Sequence, residues 1–124
     1  MSEENIDISC LKGKILTKVQ NIENREIIFY TEDGEEIKMY HEQDCCEDVF
    51  LEDICGEWED IIGEEIVSAY ETTNRDDFPP LDKEDESYLW TFYHITTFSG
   101  AVSLRWYGTS NGYYSESVSI EKNI

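Results

Sequence analysis

The chain has 124 residues, enough for one domain of about 100–150 residues and not comfortably two. Nine Lys and Arg against 29 Asp and Glu leave a net charge of −20, which excludes electrostatic attraction to nucleic acid or an anionic membrane. Hydrophobic residues make up 40% and aromatics 13%, too much apolar surface for a disordered acidic tail, and there is neither an apolar run of about 18 residues nor a secretory leader in the acidic first ten.

Period-two alternation dominates the chain. Residues 14–22 read as a strand, with Ile15 and Val19 among polar neighbours, and 26–31 (Ile27, Ile28, Phe29, Tyr30) as a second. Asp33-Gly34 is a hairpin signal before a third strand at 36–41, and 42–48 breaks the pattern as a loop. Residues 49–54 fit a short strand or a turn of helix. Trp58, Ile61 and Ile62 at helical spacing, with Gly63 just after, predict a short helix over 57–62. A strand resumes at 65–72, and 74–87, with Pro79-Pro80 and six acids, reads as a mobile acidic loop.

The last third predicts a three-stranded meander, 88–97, 101–108 and 113–120. A turn at Ser99-Gly100 would set Ile95 opposite Leu104 and His94 opposite Arg105. A three-residue loop at 110–112 would pair Leu104 with Val118 and Val102 with Ile120, keeping the apolar side chains together. One face then carries Tyr93, Ile95, Val102, Leu104, Trp106, Val118 and Ile120 as core. The other carries Trp90, Phe92, His94, Arg105, Tyr107, Ser115 and Ser117, too aromatic for ordinary solvent surface. Either the N-terminal strands curl over it or it binds something. The expected fold is a single α+β domain over 1–124, mostly antiparallel sheet with one short helix, able to close into a half-barrel.

The charge is concentrated. Residues 1–30 carry −1, 31–88 carry −19 with only Lys38, Arg75 and Lys83 as bases, and 89–124 are neutral. The ordinary account is solubility; the sharper one is a surface that imitates the phosphate charge of a duplex and docks on a basic protein.

Two segments are dense in chemistry. Tyr40-His41-Glu42-Gln43-Asp44-Cys45-Cys46-Glu47-Asp48 packs a histidine, two thiols and four carboxylates into nine positions. Zinc could use His41, Cys45 and Cys46 with Cys55 or His94 as the fourth ligand, but adjacent cysteines lack the usual spacing and nearby carboxylates oppose thiolate formation. A hard cation could use Glu42, Asp44, Glu47 and Asp48, though no EF-hand spacing is present. The plainer account makes Cys45 and Cys46 buried apolar fillers, with no disulfide expected in a reducing compartment. No catalytic set is assigned: Cys45 or Cys46 beside His41 or His94 lacks an orienting third group. The second segment, Arg105-Trp106-Tyr107-Gly108-Thr109-Ser110-Asn111-Gly112-Tyr113-Tyr114-Ser115, reads as a hairpin. There Arg105 either pairs with a carboxylate of the first segment or holds an anion.

Together and in order, these two motifs resemble a domain-of-unknown-function family of small proteins from tailed phages and prophages, over about residues 11–120. The resemblance implies a phage or prophage setting and no assigned activity. Positions that match its pattern include His41, Glu42, Asp44, Cys45, Cys46, Glu47, Arg105, Tyr107, Ser110, Asn111, Gly112, Tyr113 and Tyr114, whereas the acidic loop lies outside it. The expected function is an acidic accessory protein in the host cytoplasm, without a required cofactor, that binds a host protein with a basic surface. Its concrete form is a nucleic-acid mimic that inhibits a defence or nucleic-acid enzyme. The alternative is a small-ligand or metal-binding domain using His41, Glu42, Asp44, Glu47, Arg105, Tyr107, Ser110, Asn111 and Tyr113, with Cys45, Cys46 and His41 as metal ligands. A third possibility, an assembly protein, would oligomerise through the Trp90, Phe92 and Tyr107 face.

Overall fold

Alternating apolar and polar residues become strands through most of the described chain. A computed structural model describes residues 2–3, 6–41, 47–74, 81, 87–110 and 116–123. Among these, nine strands run in chain order: β1 (Ser2–Glu3), β2 (Leu16–Ile22), β3 (Glu26–Thr31), β4 (Glu36–Tyr40), β5 (Asp48–Cys55), β6 (Ile66–Asn74), β7 (Ser87–Thr97), β8 (Ala101–Ser110) and β9 (Ser119–Asn123). They form two antiparallel sheets, ordered β1-β9-β4-β3-β2 and β5-β8-β7-β6.

The sheets share one core. Leu16, Ile27, Phe29, Ile37, Met39 and Ile120 from the first sheet join Val49, Leu51, Tyr93, Ile95, Val102, Leu104 and Trp106 from the second, all buried. Ile8 and Leu11, on a 3-10 turn (Ile8–Leu11), complete it. The alternation read from the sequence identifies the buried face of β4, β7 and β8, whereas in β2 Leu16 is buried and Ile15 and Val19 are half-buried. Each large side chain removed from water contributes roughly 1.5–3 kcal/mol of transfer free energy.

Three expectations are corrected. The short helix is only a 3-10 turn, Trp58–Asp60. Gly56 and Gly63, with φ of +108° and +89°, bracket a segment too short to recover the cost of nucleating an α-helix. Its apolar side chains still serve the core: Ile61 is buried, and Trp58 meets Phe29 edge-on with centroids 6.1 Å apart. With two 3-10 turns as the only helical elements among the described residues, the architecture is essentially all antiparallel β.

The β7–β8 hairpin closes around Phe98-Ser99, so Ile95 faces Val102 and His94 faces Ser103. That differs from the expected register by two residues, which changes every partner but leaves every side chain on its expected face. Gly100 answers a packing demand here: a Cβ would come within 2.8 Å of Asp60 Cβ.

Among the described residues the meander is not formed. β9 pairs with β4, Met39 facing Ile120, and crosses to the first sheet instead of continuing beside β8. Alternation fixes which side chains point inward but not which neighbouring strand supplies the hydrogen bonds. The N-terminal strands consequently pack on the core face of β7 and β8. Residues 42–46 of the expected first loop, residues 111–115 of the expected second hairpin, and most of the acidic loop 74–87 lie outside the described residues.

Candidate functional site

The ends of four strands carry the two motifs to one place. His41 follows β4, Glu47 precedes β5, Ser110 ends β8, and Glu116 and Ser117 lead toward β9. His41 Nδ1 lies 2.8 Å from the Ser117 carbonyl oxygen, and Nε2 lies 2.9 Å from Glu47 Oε2. A carbonyl can only accept, so Nδ1 donates to Ser117 and Nε2 faces the Glu47 carboxyl. Both side chains are withdrawn from water, at 6% and 0% exposure. Beside them Ser110 Oγ donates to Glu116 Oε2 at 2.7 Å in a buried contact. Gly108 completes the arrangement, because a Cβ there would strike the Glu116 carbonyl oxygen.

This is a buried, hydrogen-bonded polar cluster, and such networks fix one arrangement of the chain. Both His41 nitrogens are engaged, so a metal bound through His41 would have to displace either Glu47 or the Ser117 carbonyl. Among the described residues, no group of three or more His, Cys, Asp or Glu side chains is placed to hold a metal ion. Glu42, Asp44, Cys45, Cys46, Asn111 and Tyr113 lie outside the described residues.

Arg105 belongs to different surroundings. Its Nε donates to Glu52 Oε1 at 2.7 Å, and its guanidinium lies over the Trp90 ring, 5.5 Å from the centroid. The partner is thus a carboxylate of β5, not one of the His41–Asp48 motif. A register shift between Leu51 and Asp53 makes the pairing, since the bulged Glu52 is turned toward Arg105 while Asp53 faces it across the ladder. Tyr107, although on the outer face, is almost fully buried. Trp90, Phe50 and Tyr88 surround its ring at 4.6, 6.0 and 6.3 Å, and its hydroxyl accepts the Leu81 backbone N–H at 3.2 Å. The outer face continues through Phe92 to His94, whose ring stacks on Tyr70 at 4.7 Å.

Sequence reasoning singled out His41, Glu47, Arg105, Tyr107 and Ser110 as one set, and the structure divides it. Arg105 and Tyr107 line the outer face, while the other three build the buried cluster. Glu116 and Glu52 were missed. Glu116 had a usable signal, being one of only two acids in the neutral segment 89–124. Glu52 had none, because it is one acid among many and only the bulge distinguishes it.

No described helix is long and apolar enough to cross a membrane. No curated protein and no solved structure matches the chain. A family model described as a domain of unknown function, DUF7448, matches residues 9–120. That match takes in both motifs and every strand of the core except part of β9, and on it the chain belongs to the DUF7448 family.

Proposed function

We propose that this protein is a non-enzymatic accessory protein of phage or prophage origin whose acidic surface docks on a basic surface of a host protein. One observation carries the reading: residues 39–74 contain twelve carboxylates and no Lys or Arg. The described structure leaves Asp53, Glu57, Glu59, Asp60, Glu64 and Glu65 exposed along this stretch. Such a field steers a cationic partner and repels nucleic acid, and a nucleic-acid-binding groove on a defence or transcription enzyme is the partner it fits best. The phage setting rests on the family resemblance.

The test is a pull-down from host lysate with this chain as bait, at low and high salt, repeated with Glu57, Glu59, Glu64 and Glu65 changed to Gln. The expected outcome is a nucleic-acid-binding protein retained at low salt, lost at high salt, weakened by the substitutions and displaced by duplex DNA. Retention that ignores both salt and the substitutions would overturn the reading. The alternative, a metal or small-ligand site at the His41 cluster, draws on the density of histidine, cysteine and carboxylate side chains over residues 41–48. It predicts stoichiometric metal in purified protein that is lost on changing Cys45 or Cys46 to Ser.

A further inference from the structure

The outer face of the second sheet is uneven. One row across it carries Phe92, Arg105 and Asp53, which are direct neighbours on β7, β8 and β5. The next row carries His94, Ser103 and Cys55, with Ser103 and Cys55 side by side. The small Ser103 and Cys55 side chains beside the larger Phe92 and Arg105 leave a hollow of about 170 Å³, lined by Asp53, Cys55, Phe92, Ser103, Leu104 and Arg105. Its mouth combines an aromatic ring with a carboxylate. Asp53 is 58% exposed and stands 3.6 Å from Arg105, whereas Arg105 makes its shorter contacts with Glu52. Arg105 pairs with both carboxylates, more closely with Glu52, so one cation between two carboxylates leaves a net negative charge at the hollow.

The same face already holds two guanidinium groups in this chemical setting. Arg105 lies over Trp90 and pairs with Glu52; Arg25 lies over Phe50, 5.5 Å from its centroid, and pairs with Asp48. Ring plus carboxylate suits a guanidinium, which is planar, weakly hydrated and able to stack and donate hydrogen bonds together.

We infer that the hollow between Phe92 and Asp53 receives an arginine side chain of the partner protein, stacked on Phe92 with its guanidinium donating to Asp53. This deepens the acidic-docking reading and rests on it: the carboxylates of 39–74 attract a basic surface, and the hollow selects arginine over lysine within it.

Hexa-arginine and hexa-lysine peptides are the probes, titrated into the full chain at about 0.15 M salt, where long-range attraction is damped. Binding is read by calorimetry, and its location by amide and aromatic NMR shifts. Hexa-arginine should bind about five-fold or more tightly than hexa-lysine, with the largest shifts at Phe92, Ser103 and Cys55. Phe92→Leu and Asp53→Asn should each collapse that preference, while Glu32→Gln, which removes the same charge at an exposed position elsewhere, should keep it. Asp53 is exposed, so Asp53→Asn reports on binding even if Phe92→Leu perturbs folding. Equal affinity for the two peptides, or a preference that survives Asp53→Asn, overturns the arginine site while leaving acidic docking intact. Failure of both peptides to bind overturns the site together with the docking reading.

Discussion

At the scale of single residues, the polar cluster is held by groups that have little freedom to change. Gly108 illustrates this through space alone. Its backbone passes so close to Glu116 that a methyl group would meet backbone atoms, which cannot rotate away as a side-chain tip could. Gly108→Ala should therefore cost about 1–3 kcal/mol, seen as a lower midpoint in chemical denaturation. His41 and Glu47 illustrate it through electrostatics. Removing either side chain leaves the other with one fewer partner in a site that water does not reach. His41→Ala and Glu47→Ala should each destabilise the chain by on the order of 3 kcal/mol. The double variant should lose clearly less than the sum, and a denaturation cycle over the four proteins measures the difference. Additive losses would mean that the two side chains are not coupled.

Between elements, one ionic knot ties distant parts of the first sheet. Lys14, ahead of β2, reaches Asp33 at 2.7 Å and Glu35 at 2.8 Å in the β3–β4 turn, and Lys122 on β9 reaches Glu35 at 3.1 Å. The two lysines hold the Glu35 carboxyl below its ordinary value of 4.5, while Asp33 and Glu35 raise Lys14 above 10.5. A depressed carboxyl stabilises the fold above its unfolded pKa and loses that contribution as pH falls through the folded one. A raised lysine contributes below its unfolded pKa and loses the contribution as pH rises through its folded one. The knot is thus complete between about pH 4.5 and 10.5. Glu35→Gln should lower stability at pH 7 by about 1 kcal/mol, since these partly exposed pairs are screened by water. Thermal melts of the two proteins should converge as the pH is taken well below 4.5. A gap that persists in acid would assign the loss to packing. None of this knot was legible in the sequence, where Lys14, Glu35 and Lys122 stand far apart. Features with local causes were legible: Asp33-Gly34 marked its hairpin, and alternation placed Tyr93, Ile95, Val102 and Leu104 on the buried face. The destination of β9 was not, because Ile120 is equally apolar beside β8 or beside Met39. The buried cluster was half legible, since His41 and Ser110 stood out as types while their contacts depend on the sheets meeting.

For the whole molecule, the acidic excess acts on folding and on binding with opposite sign. A net charge of −20 on 124 residues repels itself most strongly when the chain is compact, so carboxylates that have no partner cost stability in the folded state. Added salt shortens the range of that repulsion, from a screening length of about 30 Å at 0.01 M to about 8 Å at 0.15 M. The melting temperature should therefore rise when NaCl is increased from about 10 mM to about 150 mM, even though the Lys14–Glu35 pairs are weakened over the same interval. The excess wins because twenty uncompensated charges outnumber the few ion pairs that salt can weaken. Binding to a basic partner should move the other way, weaker at each step. Melting and binding measured in one salt series separate two origins of the charge: if both strengthen together, the partner contact is apolar and the carboxylates serve the solubility of the chain, whereas divergence ties them to recognition.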